Sequence, residues 1–91
     1  MRWYDGSMNS KHAKTLRAVF AIPTRPVRFS ESDSLLQALG FEKIEGDGSL
    51  VRFEARAGSA LVTHRPHPRD EAPKRLVRRV CDFLIAQGIT P

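Results

Sequence analysis

Two histidines flank an arginine and a proline in His64-Arg65-Pro66-His67, with Arg69 close behind. An imidazole titrates near neutrality, so either ring can act as a general acid or base. A neighbouring guanidinium would offset charge gathering on a phosphorane, and Arg65 and Arg69 are the sequence neighbours suited to that. The plainer reading is that Pro66 and Pro68 shape a loop whose backbone the two imidazoles hydrogen-bond. A metal pair is disfavoured: Pro66 excludes the helix that usually presents such spacing, and no third ligand is evident. His12 lies among lysines and reads as solvent-facing. Cys81 falls in an apolar stripe and reads as a small core residue rather than a nucleophile.

A second group of residues is suited to binding. Lys74, Arg75, Arg78 and Arg79 crowd the start of a helical pattern. An A-form duplex exposes phosphates across its minor groove, and a basic helix beside a sheet can span them. The alternative is a solvated face with a local Arg78–Asp82 pair. Aromatic platforms for stacked bases are not obvious, since Phe53 reads as buried and Trp3 and Tyr4 lie near the N-terminus. Gly46-x-Gly48-Ser49 is glycine-rich, but no lysine follows it, and a strand-to-strand turn explains it better than a phosphate loop.

Helices and short strands must position these groups. Residues 10–20 read as a helix with Ser10 as N-cap and Ala13, Leu16, Val19 and Phe20 on its apolar side. Lys11, Lys14 and Arg17 form a like-charged row that does not help the helix. Pro23 and Pro26 make a linker. A helix follows over 31–39, with Ser30 and Asp33 as its capping pair, Leu35, Leu36 and Leu39 as its stripe and Gly40 as its stop. Three strands are expected at 41–45, 50–57 and 60–64, the second from the alternation of Val51, Phe53 and Ala55 with charged residues. In the third, Leu61 and Thr63 inward put His64 outward, while Val62 inward puts His64 on the core side. Both registers are open. After an irregular Arg65–Pro73 loop, a helix over 74–87 buries Leu76, Val77, Val80, Cys81, Leu84 and Ile85. The fold class is α+β: two helices on one face of a three-stranded antiparallel sheet, in the order α-β-β-β-α, with an extra N-terminal helix.

Composition sets the outer bounds. The sequence has 91 residues, 41% hydrophobic and 27% charged, which suits one globular domain. Residues 1–8 read as a tail and residues 9–91 as the domain. No apolar run is long enough for a transmembrane helix, and the first residues lack the stretch of a secretory signal. One cysteine excludes an internal disulfide and fits a reducing cytoplasm. The net charge is +5, unevenly spread. Residues 9–29 carry five cations and no acid, residues 30–50 five acids against Lys43, and residues 52–79 eight cations against three acids. A basic face of this kind points to a polyanionic partner.

The element order, with Gly48-Ser49 entering the second strand and a His-Pro after the third, resembles the HicA toxins of bacterial toxin–antitoxin pairs. The matching stretch runs from about Asp33 to Ile89. It includes Leu35-Leu36-Gln37-Ala38-Leu39-Gly40-Phe41, Gly46-Asp47-Gly48-Ser49, Val62-Thr63-His64-Arg65-Pro66-His67-Pro68 and Gln87-Gly88-Ile89. The resemblance implies a double-stranded-RNA-binding-like fold, a metal-independent endoribonuclease acting on mRNA and a silencing partner of the HicB type, with no small-molecule cofactor. It reaches Gly48, Ser49, His67 and Pro68. At the place where the family's catalytic histidine follows Gly-Ser, this sequence has Leu50, which cannot move a proton.

Two functions therefore stand as expectations. One is a HicA-like toxin that cuts mRNA, with His64 or His67 as the acid–base group and Ser49, Arg52, Arg65, Arg69, Lys74, Arg75, Arg78 and Arg79 on the RNA. The other is a non-catalytic module that binds duplex RNA on the same scaffold, which Leu50 favours. A third reading is a protein-binding domain whose basic face meets an acidic antitoxin-like partner.

Overall fold

In a computed structural model describing residues 9–91, six elements follow one another. They are α1 (Ser10–Val19), α2 (Phe29–Ala38), β1 (Glu42–Glu45), β2 (Leu50–Glu54), β3 (Ala60–His64) and α3 (Lys74–Ala86). The expected tail, with Trp3 and Tyr4, lies outside the described residues.

Helix α1 is capped by Asn9 and not by Ser10. The Asn9 carboxamide oxygen accepts from the His12 N–H at 2.8 Å, satisfying one of the first-turn amides. Ser10 is already the first helical residue. Asn9→Ala is expected to destabilise the fold by about 1 kcal/mol in urea unfolding, while Ser10→Ala should change little. Leu16 and Val19 are buried, and the Lys11, Lys14 and Arg17 row is exposed.

Helix α2 begins two residues before the expected start, and its cap also differs. The Arg28 N–H donates to Glu31 Oε1 at 3.0 Å. Ser30 sits inside the first turn, where its N–H and hydroxyl donate to the Asp70 carboxylate from the distant loop. Asp33 does not cap the helix. It accepts from Gln37 and from Lys43 of β1, tying α2 to the sheet. Leu35, Leu36 and Leu39 face the core as expected, and Gly40 ends the helix at φ 96°.

The sheet is antiparallel in the order β1-β2-β3. Val51 and Phe53 of β2 and Leu61 of β3 are buried on its inner face. Strand β2 ends at Glu54, three residues short of expectation. The Ala55 N–H donates to Ser59 O and the Gly58 N–H to Ala55 O, which closes a turn that Gly58 passes at φ 96°.

In α3, Leu76, Val77, Val80, Phe83 and Leu84 are buried and Cys81 is half-buried. Ile85 does not belong to this stripe; it is 53% exposed. At about 100° per residue Ile85 lies opposite Leu76, while Phe83 falls within about 20° of it. The Phe83 ring packs against Phe41 with centroids 5.1 Å apart. The Arg78–Asp82 pair of the solvated-face alternative does not form among the described residues.

Leu16, Leu35, Leu36, Val51, Phe53, Val77 and Leu84 form one buried cluster fed by all three helices and the sheet. Each large side chain so buried contributes roughly 1.5–3 kcal/mol relative to exposure, against at most about 1 kcal/mol for a surface ion pair. Apolar packing therefore holds the frame, and the ion pairs only trim it. No helix among the described residues is long and apolar enough to cross a membrane.

Candidate active site between the third strand and the last helix

The inward placement of Leu61 decides the register of β3. Leu61 is 4% exposed and Val62 37% exposed, so His64, two residues after Val62, is on the outer side of the strand. His64 pairs across the ladder with Leu50. The two side chains are therefore neighbours on one face of the β2–β3 pair.

The hairpin from β1 to β2 fixes a partner for this imidazole. The Gly46 N–H donates to Leu50 O at 2.9 Å, and the Leu50 N–H to Asp47 O at 3.2 Å. Gly48 takes φ 62°, which glycine adopts at little cost, and this brings Ser49 to the mouth of β2. The Arg65 N–H then donates to Ser49 O at 2.7 Å, extending the β2–β3 ladder past its last strand pair. With its backbone held, Ser49 places Oγ 3.0 Å from His64 Nδ1. Gly46 leaves room for Leu50, since a Cβ there would stand 3.0 Å from Leu50 Cδ2.

Helix α3 supplies the other wall. One turn apart on this helix, Arg75 and Arg79 line a cavity of about 420 Å³ together with Leu50, Val62, His64 and Pro66. Arg79 Nη2 donates to Val62 O at 2.6 Å, on the open edge of β3. That bond fixes the guanidinium beside the strand and leaves most of its donors free. The Arg75 side chain makes no hydrogen bond or ion pair with other described residues and is exposed. An imidazole oriented by a hydroxyl, one anchored guanidinium and one free guanidinium thus share a concave surface. Such a surface can bind a phosphate and move a proton beside it.

The other candidates from the sequence scatter. His67 lies in a different cavity, with Arg69 and Lys74. Arg65 is paired with Glu45 at 3.0 Å, and Arg52 with Glu54 at 2.7 Å. Arg78 is exposed near Cys81, whose thiol pKa is pushed up by partial burial and by Asp82, with Arg78 opposing. Among the described residues no group of three or more His, Cys, Asp and Glu side chains is placed to hold a metal. Arg25 was not among the expected binding residues, yet it lines the His67 cavity. Its only signal was its place between two prolines in a linker.

Comparison with known proteins adds the family. The profile of the HicA toxin of bacterial toxin–antitoxin systems matches residues 29–87, from the first residue of α2 to just past α3. The chain belongs to the HicA toxin family. The family stretch therefore contains Ser49, His64, Arg75 and Arg79, while α1 and the Pro23–Pro26 linker precede it. The chain is also 35% identical over 80 residues to a protein of Granulibacter bethesdensis named Holliday junction branch migration complex subunit RuvB. That similarity covers 87% of this chain but 21% of the relative, so the chain spans about a fifth of that relative's length. No solved structure matched.

Proposed function

We propose that this member of the HicA toxin family is a metal-independent endoribonuclease acting on mRNA, with His64 as its general base. The observation that carries the reading is the meeting of His64, Arg75 and Arg79 around one cavity. In the tautomer whose Nδ1–H donates to Ser49 Oγ, 3.0 Å away, the imidazole keeps Nε2 as its basic nitrogen. His64 takes the proton of a ribose 2′-OH. The 2′-oxygen bonds to phosphorus, the bond from phosphorus to the 5′-oxygen breaks, and the leaving oxygen takes a proton from solvent. The products are a 2′,3′-cyclic phosphate and a 5′-hydroxyl. Arg79, held by Val62 O, and Arg75 offset the charge on the phosphorane. His67 lines another cavity and takes no part in this proton transfer.

The family also supports a protein partner, an antitoxin of the HicB type, which would silence the toxin by covering this cavity. The net charge of +5 suits an acidic partner as well as RNA. A cytoplasmic setting accords with both. The test of the activity is purified protein incubated with RNA in EDTA. Cleavage is expected; RNA left intact at micromolar protein overturns the reading.

Leu50 favours a second reading, a module that binds duplex RNA without cutting it. Leu50 is the cross-strand neighbour of His64, so Leu50→His would put an imidazole beside the existing one. The catalytic reading expects the parent to cut, with a modest change on Leu50→His. The binding reading expects a parent that only binds, in a salt-sensitive manner, and a Leu50→His variant that cuts.

A further inference from the structure

A cavity of about 650 Å³ shares Pro66 and Pro73 with the His64 cavity. That volume is within the roughly 300–1,000 Å³ of small-molecule sites. Its walls come from Thr24-Arg25-Pro26 of the linker, from the loop leading into α3 and from the first turn of α3. Three cations line it, Arg25, Arg69 and Lys74, against one carboxylate, Glu71. None of the three cations makes an ion pair or side-chain hydrogen bond with another described residue. Unpaired cations around one concavity repel each other, and an anion seated among them relieves that repulsion.

The cavity is framed by backbone bonds rather than left by loose packing. The linker end and the loop pair through an Arg28–Glu71 bridge, with the Ala72 N–H donating to Val27 O at 2.9 Å. The Asp70 carboxylate accepts from the Ser30 N–H at 3.1 Å and so holds the loop against α2. Beside the cations stand Pro26, Pro68 and Val77, and the imidazole of His67. An apolar wall with a flat ring suits a base or ribose, and the cations suit its phosphate.

We propose that this cavity is a second nucleotide subsite, taking the base and phosphate of the RNA nucleotide next to the one held at His64. The proposal rests on the ribonuclease reading and deepens it. Arg25 and Thr24 precede the stretch that the family profile matches, so the linker adds this wall to the family core.

The experiment measures binding of two single-stranded 2′-O-methyl RNAs, a dinucleotide and a hexanucleotide, by fluorescence anisotropy across a salt series. The proteins are the parent, Arg25→Ser, Arg69→Ser and, as control, Lys11→Ser on the exposed row of α1. For the hexanucleotide, Arg25→Ser and Arg69→Ser are each expected to weaken binding severalfold. Each should also flatten the slope of log affinity against log salt by about 0.7, the loss of one single-strand phosphate contact. The dinucleotide, without terminal phosphates, has its one phosphate at His64 and none to offer Arg25 or Arg69, so its binding should be unchanged, and Lys11→Ser should change neither. Unaltered hexanucleotide affinity and slope in both variants, or an equal loss for both RNAs, overturns the subsite and leaves the ribonuclease reading standing. A parent that binds neither RNA at low salt overturns both.

Discussion

His64→Ala is expected to slow RNA cleavage by about 10²–10⁴-fold, the usual contribution of a positioned acid–base group. His67→Ala should leave the rate at saturating RNA close to that of the parent. The contrast follows from placement. His64 lines the cavity of Arg75 and Arg79 and is held by Ser49 Oγ at 3.0 Å. His67 shares the neighbouring cavity with Arg25, Arg69 and Lys74, where its loss should show in KM. Both rings are exposed, so neither substitution opens a hole in the core. Thermal melts of the two variants should overlay the parent curve. Single-turnover rates in EDTA provide the measurement. Equal rates for His64→Ala and the parent would remove His64 from the mechanism.

The second large effect concerns the guanidinium groups. Arg79→Ala is expected to lower the cleavage rate by about 10²–10³-fold, the cost of removing one fixed donor from a developing anion. Its stability cost is small by comparison, about 0.5–1.5 kcal/mol for the lost bond to Val62 O. Arg79→Lys is the sharper variant. It keeps the charge but loses the planar fork that reaches strand and phosphate together. RNA affinity should then be nearly retained while the rate stays low. If Arg79→Lys restores both, the residue acts as a point charge and the Val62 contact is incidental. Arg75→Ala should cost more in affinity than Arg79→Ala, since nothing in the described protein holds that side chain in place.

Most of the frame was legible in local pattern. Val51 and Phe53 alternate with Arg52 and Glu54, and that alternation located β2 and its inner face. Leu35, Leu36 and Leu39 before Gly40 marked α2 and its end. The failures have separate causes. The start of α2 is not legible locally, because Ser30 is tied to Asp70, forty positions away, and no local signal announces that bond. Ile85 reads as core in the sequence because α3 offers a nearly continuous apolar run near its end, where counting apolar residues hides the angle between Phe83 and Ile85.

The site divided in the same way. His64 and His67 look like one cluster in the chain, but Pro66 and Pro73 line both cavities between them and each ring faces its own set of cations. The register of β3 stayed open in the sequence until the burial of Leu61 fixed it. In the chain, Arg25 is marked only by its place between two prolines. It reaches the Arg69 and Lys74 cavity only because the linker folds back along the loop, held by the bond from the Ala72 N–H to Val27 O.

The chemistry of the cut ends tests the account most directly. An RNA digested in EDTA and analysed by mass spectrometry should carry 2′,3′-cyclic phosphates and 5′-hydroxyls, and a 2′-O-methyl group at the scissile nucleotide should block the cut. Ends bearing 3′-hydroxyl and 5′-phosphate, or cleavage that ignores the blocked 2′-oxygen, would contradict an imidazole that works on the ribose hydroxyl.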